Sequence, residues 1–252
     1  MKLNGWPHLG LPVALLAGCG GESSSTDTDT SRLYAYYRVS ANGDGTTLAT
    51  ANFSAVERYI DGFFPITNSI RLEGGDELSV SANGTTKTFS IDSSDGVIRY
   101  STQFDFDAGP TEFVFRLNRP SRSETIESRV VLPADMAMLS PLEGADFSIS
   151  SPIDVVWSPA APFGRICVCF TAECYEQASA QTAACDCSIE DTGSYRASMP
   201  SLFADRGWDL VAQQSCTTKL SIERRSSGYP GGGLQGNIEA RQVRSTTMVV
   251  NL

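Results

Sequence analysis

A chain of 252 residues has room for one large domain or two of about 100–120 residues. With 41% hydrophobic and 19% charged residues, 22 Gly and 12 Pro, it is turn-rich and globular rather than disordered or long-helical. A formal net charge of −10 with scattered Arg excludes a nucleic-acid binder, and a lone histidine, His8, in a segment expected to be removed excludes imidazole catalysis and His-bound zinc.

Met1 to Gly18 reads as a basic start at Lys2, an apolar run from Leu9 to Ala17 interrupted by Pro12, and small residues before Cys19. A permanent membrane helix needs about 20 apolar residues, so residues 1–18 are expected to be a cleaved export signal. Losing Lys2 with it takes the net charge to −11. Leu16-Ala17-Gly18-Cys19 resembles the lipobox of bacterial lipoproteins. The resemblance implies that the Cys19 thiol is joined to diacylglycerol, that the signal is cut before it, and that the new amino group is acylated, as by palmitate. Gly20 stands where the family's inner-membrane retention signal has Asp, which implies the outer membrane in a Gram-negative host. The protein is then a lipid-anchored cell-envelope protein facing the periplasm or the surface. Residues 21–31, GESSSTDTDTS, lack apolar periodicity, so 19–31 is expected to be a lipidated cysteine and flexible linker, with Asp27 and Asp29 as solvated charges.

From residue 32 short alternating runs separated by turn residues predict antiparallel β-sheet with one buried face. Strands are expected at Leu33 to Val39, Ser69 to Leu72, Glu77 to Ala82, Thr88 to Ile91, Ile98 to Phe106, Phe113 to Leu117 and Ile126 to Leu132. Turns are expected at Asn42 to Gly45, Gly74 to Asp76, Asn83-Gly84 and Asp95-Gly96. In the clearest run Ile98, Tyr100, Phe104 and Phe106 share a face, and Phe113 to Leu117 is its expected hairpin partner. Together 32–132 forms a first β-sandwich.

Pro133 ends that set. A second sandwich over 133–252 is expected from strands at Phe147 to Ile149, Ile153 to Trp157, Arg165 to Phe170, Tyr195 to Ala197, Asp209 to Ala212, Lys219 to Glu223, Ile238 to Val243 and Thr246 to Leu252, with short helical pieces near Glu173 to Ala184 and Pro200 to Ala204. Val155-Val156-Trp157-Ser158-Pro159 resembles the early strand of fibronectin type III or immunoglobulin-like domains, which implies that Trp157 plugs the core. Asp191-Thr192-Gly193-Ser194-Tyr195 is similar to their D-x-G-x-Y tyrosine corner, which implies that the Tyr195 hydroxyl bonds to nearby backbone. Ala197 departs from the pattern, standing where an antibody-type domain carries its inter-sheet cysteine. The fold class is all-β, two tandem immunoglobulin-like antiparallel β-sandwiches.

Besides Cys19, six cysteines lie in the second half: Cys167, Cys169, Cys174, Cys185, Cys187 and Cys216. An even set in an exported chain reads as three disulfides, with 15 pairings open. Cys167 and Cys169 face the same side of a strand, so they are not partners. The pairing expected is Cys174 with Cys185, Cys169 with Cys187, and Cys167 with Cys216. A thiolate metal site is the alternative, but the spacing does not match structural zinc.

Gly231 to Gly236 fits G-x-G-x-x-G by letter, yet β-like sequence surrounds it, and a hairpin loop is expected. Asp105, Asp107 and Glu112 cluster around one turn and read as a solvated hairpin end, without the ordered spacing of an EF-hand loop. No catalytic residue, metal or cofactor is assigned. The functional expectation is a non-catalytic binding or structural module, its partners the membrane through the N-terminal lipid and an envelope protein or polysaccharide. The alternative is a carbohydrate-binding accessory or a carboxylate-based carbohydrate-active enzyme using aromatics such as Trp208 and Tyr229.

Overall fold

The computed structural model describes residues 23–60, 64–93, 97–161, 164–174, 182–198, 200 and 215–251. The first ten strands are β1 (Ser23–Ser24), β2 (Leu33–Ala41), β3 (Thr47–Ile60), β4 (Phe64–Arg71), β5 (Glu77–Ala82), β6 (Thr85–Thr88), β7 (Ser90–Asp92), β8 (Arg99–Phe104), β9 (Thr111–Arg119) and β10 (Glu124–Leu132). The rest are β11 (Ala137–Ser140), β12 (Asp146–Ser148), β13 (Ile153–Ser158), β14 (Arg165–Cys174), β15 (Thr182–Glu190), β16 (Ser194–Ala197), β17 (Ser215–Gly228) and β18 (Gln235–Asn251).

The chain is all-β and its strands pack as sandwiches. One 11-stranded sheet runs the length of the molecule in the order β1-β4-β3-β2-β18-β17-β14-β15, with β8 and β12 joining it at β3 and β18 and β7 at β8. Two smaller sheets, β10-β9-β5-β6 and β11-β13-β16, cover it. The first core lies between the long sheet and β5, β9 and β10, around Tyr37, Phe53, Tyr100, Phe104, Phe113 and Phe115. The second lies under β13, around Trp157, Ile166, Phe170, Leu220 and Met248.

The hairpin β17–β18 belongs to both cores. Along β18, Ile238 and Ala240 face the first core, while Met248 and Val250, on the same side of the strand, face the second. Between them stand Arg224 and Gln242, which are register partners across the hairpin and both buried. The Gln242 amide donates to Asp107 O at 2.8 Å, so a polar seam divides the two apolar cores within one continuous sheet. Residues expected in the second sandwich therefore build part of the first. The sheet is also not wholly antiparallel, because β18 lies parallel to β2 from Gln235 to Gln242.

Four local expectations are corrected. Strands β8 and β9 do not form a hairpin: β8 pairs with β3 and β7, β9 with β5 and β10. Phe104 and Phe113 instead meet across the core, ring centroids 5.4 Å apart, because alternation fixes a strand's buried face and leaves its neighbour open. The helical piece expected from Glu173 to Ala184 is strand at both described ends, in β14 and β15. Strand β3 is hidden in the sequence because its inward row sets Ala49, Ala51 and Ala55 around a lone Phe53, and alanine is small and of low strand propensity. They suit a sheet whose opposite face supplies bulky rings.

The fourth correction concerns the linker. Ser23 to Arg32 is ordered against the first sandwich, with β1 parallel to β4 and single 3-10 turns at Ser25–Asp27 and Thr30–Arg32. The cause is Arg119, fully buried, whose guanidinium donates to Asp76 Oδ2 at 3.1 Å, Thr30 Oγ1 at 2.6 Å, Ser25 O at 2.6 Å and Thr28 O at 2.9 Å. A buried cation must be paired and hydrogen-bonded, and this polar lead-in supplies the acceptors that a sandwich core lacks. Among the described residues no helix is long and apolar enough to cross a membrane.

Candidate functional site

The outward side of the long sheet in the first sandwich carries polar and aromatic side chains in register across β18, β2 and β3. Burying Ala35, Tyr37 and Val39 of β2 turns Tyr34, Tyr36 and Arg38 outward. The register sets Asn237 of β18 and Asn52 of β3 directly beside Tyr36, one on each side. One row further along, Arg38 stands between Glu239 and Thr50 and forms an ion pair with Glu239. Tyr36, Arg38, Asn52, Asn237 and Glu239, with Arg99 of β8, line a shallow recess of about 430 Å3. Gly236 permits the close approach of β18 to β2: its φ is +107°, and a Cβ there would lie 2.2 Å from Ala35 O.

A second recess of about 720 Å3 opens at the side of the first sandwich. Leu72, Leu78, Phe89 and Tyr100 give it an apolar side, and Arg116 and Glu127 a charged rim. Hydrogen bonds from Arg116 and then Arg129 hold the Glu127 carboxyl below its usual range. Every carboxyl group with a shifted pKa among the described residues moves down: Asp44, Glu127, Glu143, Asp186 and Asp191. None of these is held protonated, as a general acid acting near neutral pH must be.

Asp191 and Trp157, singled out in the sequence, do meet, but as structure. Trp157 is buried, and its Nε1 donates to Asp191 Oδ1 at 2.7 Å. Arg224 donates to both carboxylate oxygens of Asp191, at 2.6 and 3.1 Å, and to the carbonyls of Ala134, Asp135 and Pro159. Burial pushes the Asp191 carboxyl up, but the Arg224 and Trp157 hydrogen bonds and the Arg224 charge outweigh it, and the net shift is downward. The tyrosine-corner bond is not made: the Tyr195 hydroxyl has no hydrogen bond among the described residues, and burial followed by the Asp186 charge raises its pKa.

The cysteines pair differently from the expected scheme. Cys167 bonds Cys187 and Cys169 bonds Cys185, because β14 and β15 are antiparallel neighbours that set Cys169 opposite Cys185. Cys216 is also disulfide-bonded, and its register partner across β17 and β14 is Cys174. The two bridges between β14 and β15 lie on the outward face of the sheet, with Cys185 and Cys187 exposed.

Asp105, Asp107 and Glu112 are not brought together as a ligand set. Asp105 is exposed near Lys87, Asp107 accepts from Gly45 N at 3.1 Å, and Glu112 pairs with Arg129. Among the described residues no group of three or more His, Cys, Asp or Glu is placed to hold a metal ion. Residues 229–234, which include Gly231 to Gly233, form the turn of the β17–β18 hairpin, packed on β10, where a Cβ on Gly231 would lie 2.0 Å from Glu127 O, while Gly236 lies within β18. Tyr229, 89% exposed, opens the turn directly after Gly228, which pairs with Ile238. Cys19, Trp208 and the short piece at 201–204 lie outside the described residues. The face around Tyr36 was legible only as LYAYYRV, where aromatics fall on both sides of the alternation and hide which are exposed.

No protein-family model matches the chain, and no curated protein sequence matches it. Among solved structures, trypsin-activated alpha-2-macroglobulin from Escherichia coli is similar at 10% identity over 85% of this chain, with a TM-score of 0.24, and the chain spans 15% of that protein's length. The calcium binding domain CBD12 of CALX1.1 is similar at 12% identity over 87% of this chain and 99% of its own, with a TM-score of 0.22. Similarity this low assigns neither a family nor a function to the chain.

Proposed function

We propose that this protein is a lipid-anchored, non-catalytic binding module of the cell envelope, attached through Cys19 and mounted close to the bilayer. The observation that carries the reading is the lead-in pinned by Arg119. Ser23 is already part of the sandwich sheet, so only four residue steps separate it from Cys19. At about 3.5 Å per residue they span at most about 14 Å, against roughly 45 Å for a free linker reaching Arg32. An anchor at Cys19 then holds the first sandwich against the headgroups. The lipobox-like sequence at Leu16 to Cys19 supports the attachment, and disulfides between β14 and β15 suit an oxidising, extracytoplasmic compartment. The open recesses of the first sandwich support binding over catalysis.

Labelled palmitate and membrane fractionation test the anchor. The wild-type chain is expected to take up label and sediment with membranes, in the outer-membrane fraction of a Gram-negative host, and Cys19→Ala to lose both. Unchanged labelling of Cys19→Ala overturns the reading.

A further inference from the structure

We infer, building on the binding-module reading above, that the outward face of β18, β2 and β3 is a recognition surface for a neutral polysaccharide, seated over Tyr34 and Tyr36. Tyr36 is 42% exposed on a surface where a sheet ordinarily places polar side chains. Tyr34 stands two residues away on the same strand face, about 7 Å along it. Asn237 and Asn52 flank Tyr36 in register, each one strand away, so the amides stand about 10 Å apart with the ring between them.

The chemistry of these groups is that of a sugar site. An exposed phenol ring offers an apolar face with a polar tip, which matches a pyranose whose C–H face is apolar and whose edge carries hydroxyls. Asn52, Asn237 and Gln235 each supply a donor and an acceptor, as ring hydroxyls require. Among the described residues, the side chains of Tyr34, Tyr36, Asn52, Asn237 and Gln235 make no hydrogen bond or ring contact with the protein, so a ligand displaces only water.

Charge selects a neutral chain. The Arg38 guanidinium beside Tyr36 is paired with Glu239, and Arg99, which also lines the recess, has an interaction of its own, so neither guanidinium is a free anion site. A protein partner fits less well, because the centre of a protein interface is fully buried and more apolar than its rim, and the row Asn237, Tyr36, Asn52 presents amides on both sides of one ring. The surface is a row of hydrogen-bonding groups crossing three strands, which suits an extended polymer better than a small molecule.

The test is calorimetric titration of the full-length protein in detergent with cellohexaose, N-acetylchitohexaose and, as an acidic comparison, a galacturonate hexamer. At least one neutral hexasaccharide is expected to bind. Tyr36→Ala weakens it about tenfold, and the Asn52→Ala/Asn237→Ala pair weakens it severalfold. Circular dichroism confirms that each variant is folded. The inference is overturned if neither neutral hexamer binds at millimolar concentration, if the acidic hexamer binds more tightly, or if folded Tyr36→Ala binds as wild type does. Palmitate labelling of the same preparations separates the two readings: labelled protein without glycan binding sinks only this inference, and glycan binding by an unlabelled chain sinks only the anchor.

Discussion

Arg119 and Ser25 stand 94 residues apart in the chain and 2.6 Å apart in the fold, the guanidinium Nη2 donating to the Ser25 carbonyl. This contact turns a polar segment that reads as a tether into part of the first sandwich. The same guanidinium pairs with Asp76 through Oδ2, and Asp76 Oδ1 is buried with no hydrogen-bond partner among the described residues.

Arg119→Met is therefore expected to cost about 3–5 kcal/mol, because it leaves Asp76 charged, buried and unpaired. Urea denaturation measures the loss, and hydrogen exchange across 23–32 should quicken. The double variant Arg119→Met/Asp76→Leu should recover part of the stability while leaving the lead-in loose, since the orphaned charge is gone but Ser25 and Thr28 still lack their donor.

Asp191 links stability to pH. Its folded pKa lies below the ordinary value of 3.8, so its contribution is fully present above the unfolded value and is lost as pH falls through the folded one. Acid titration of stability should show this decline in wild type and a flatter profile in Asp191→Asn. At neutral pH the variant should be less stable by about 3–5 kcal/mol, because Arg224 is left buried without its counter-charge. Equal slopes in the two proteins would exclude Asp191 as a source of the acid sensitivity.

The two bridges between β14 and β15 are nested, with sequence separations of 20 and 16. Closing a loop of about 15 residues is worth roughly 3 kcal/mol in the unfolded chain, but the inner bridge adds little once the outer one exists. Removing either pair alone, as Cys169→Ser/Cys185→Ser or Cys167→Ser/Cys187→Ser, should cost less than half of what removing both costs. Thermal melts read the non-additivity, and peptide mapping without reductant should recover the 167–187 and 169–185 links.

Gly231→Ala should destabilise by about 1–3 kcal/mol, since its Cβ would meet the Glu127 carbonyl at 2.0 Å and push the hairpin turn off β10. Gly233→Ala should cost only the backbone strain of φ +80°, about 1 kcal/mol, because nothing lies within 4 Å. Denaturation midpoints of the pair distinguish a packing glycine from a turn glycine.

The sequence by itself determined the class of the fold and the buried face of its regular strands. Period-two alternation in Glu77 to Ala82 and Phe113 to Leu117 reports a local property, which side of a pleated strand meets the core, and the structure buries those same faces. It likewise located Trp157 in a core and marked Cys19 as set apart from the other cysteines. What only the tertiary structure decided is which strands are neighbours. Pairing depends on groups distant in the chain, so β8 and β9 could not be assigned to different sheets, nor Cys169 to Cys185, from spacing. The seam at Arg224 and Gln242 and the seating of Ser25 on Arg119 have the same origin. Buried polar groups must find partners wherever the fold supplies them, and local sequence carries no record of where that is.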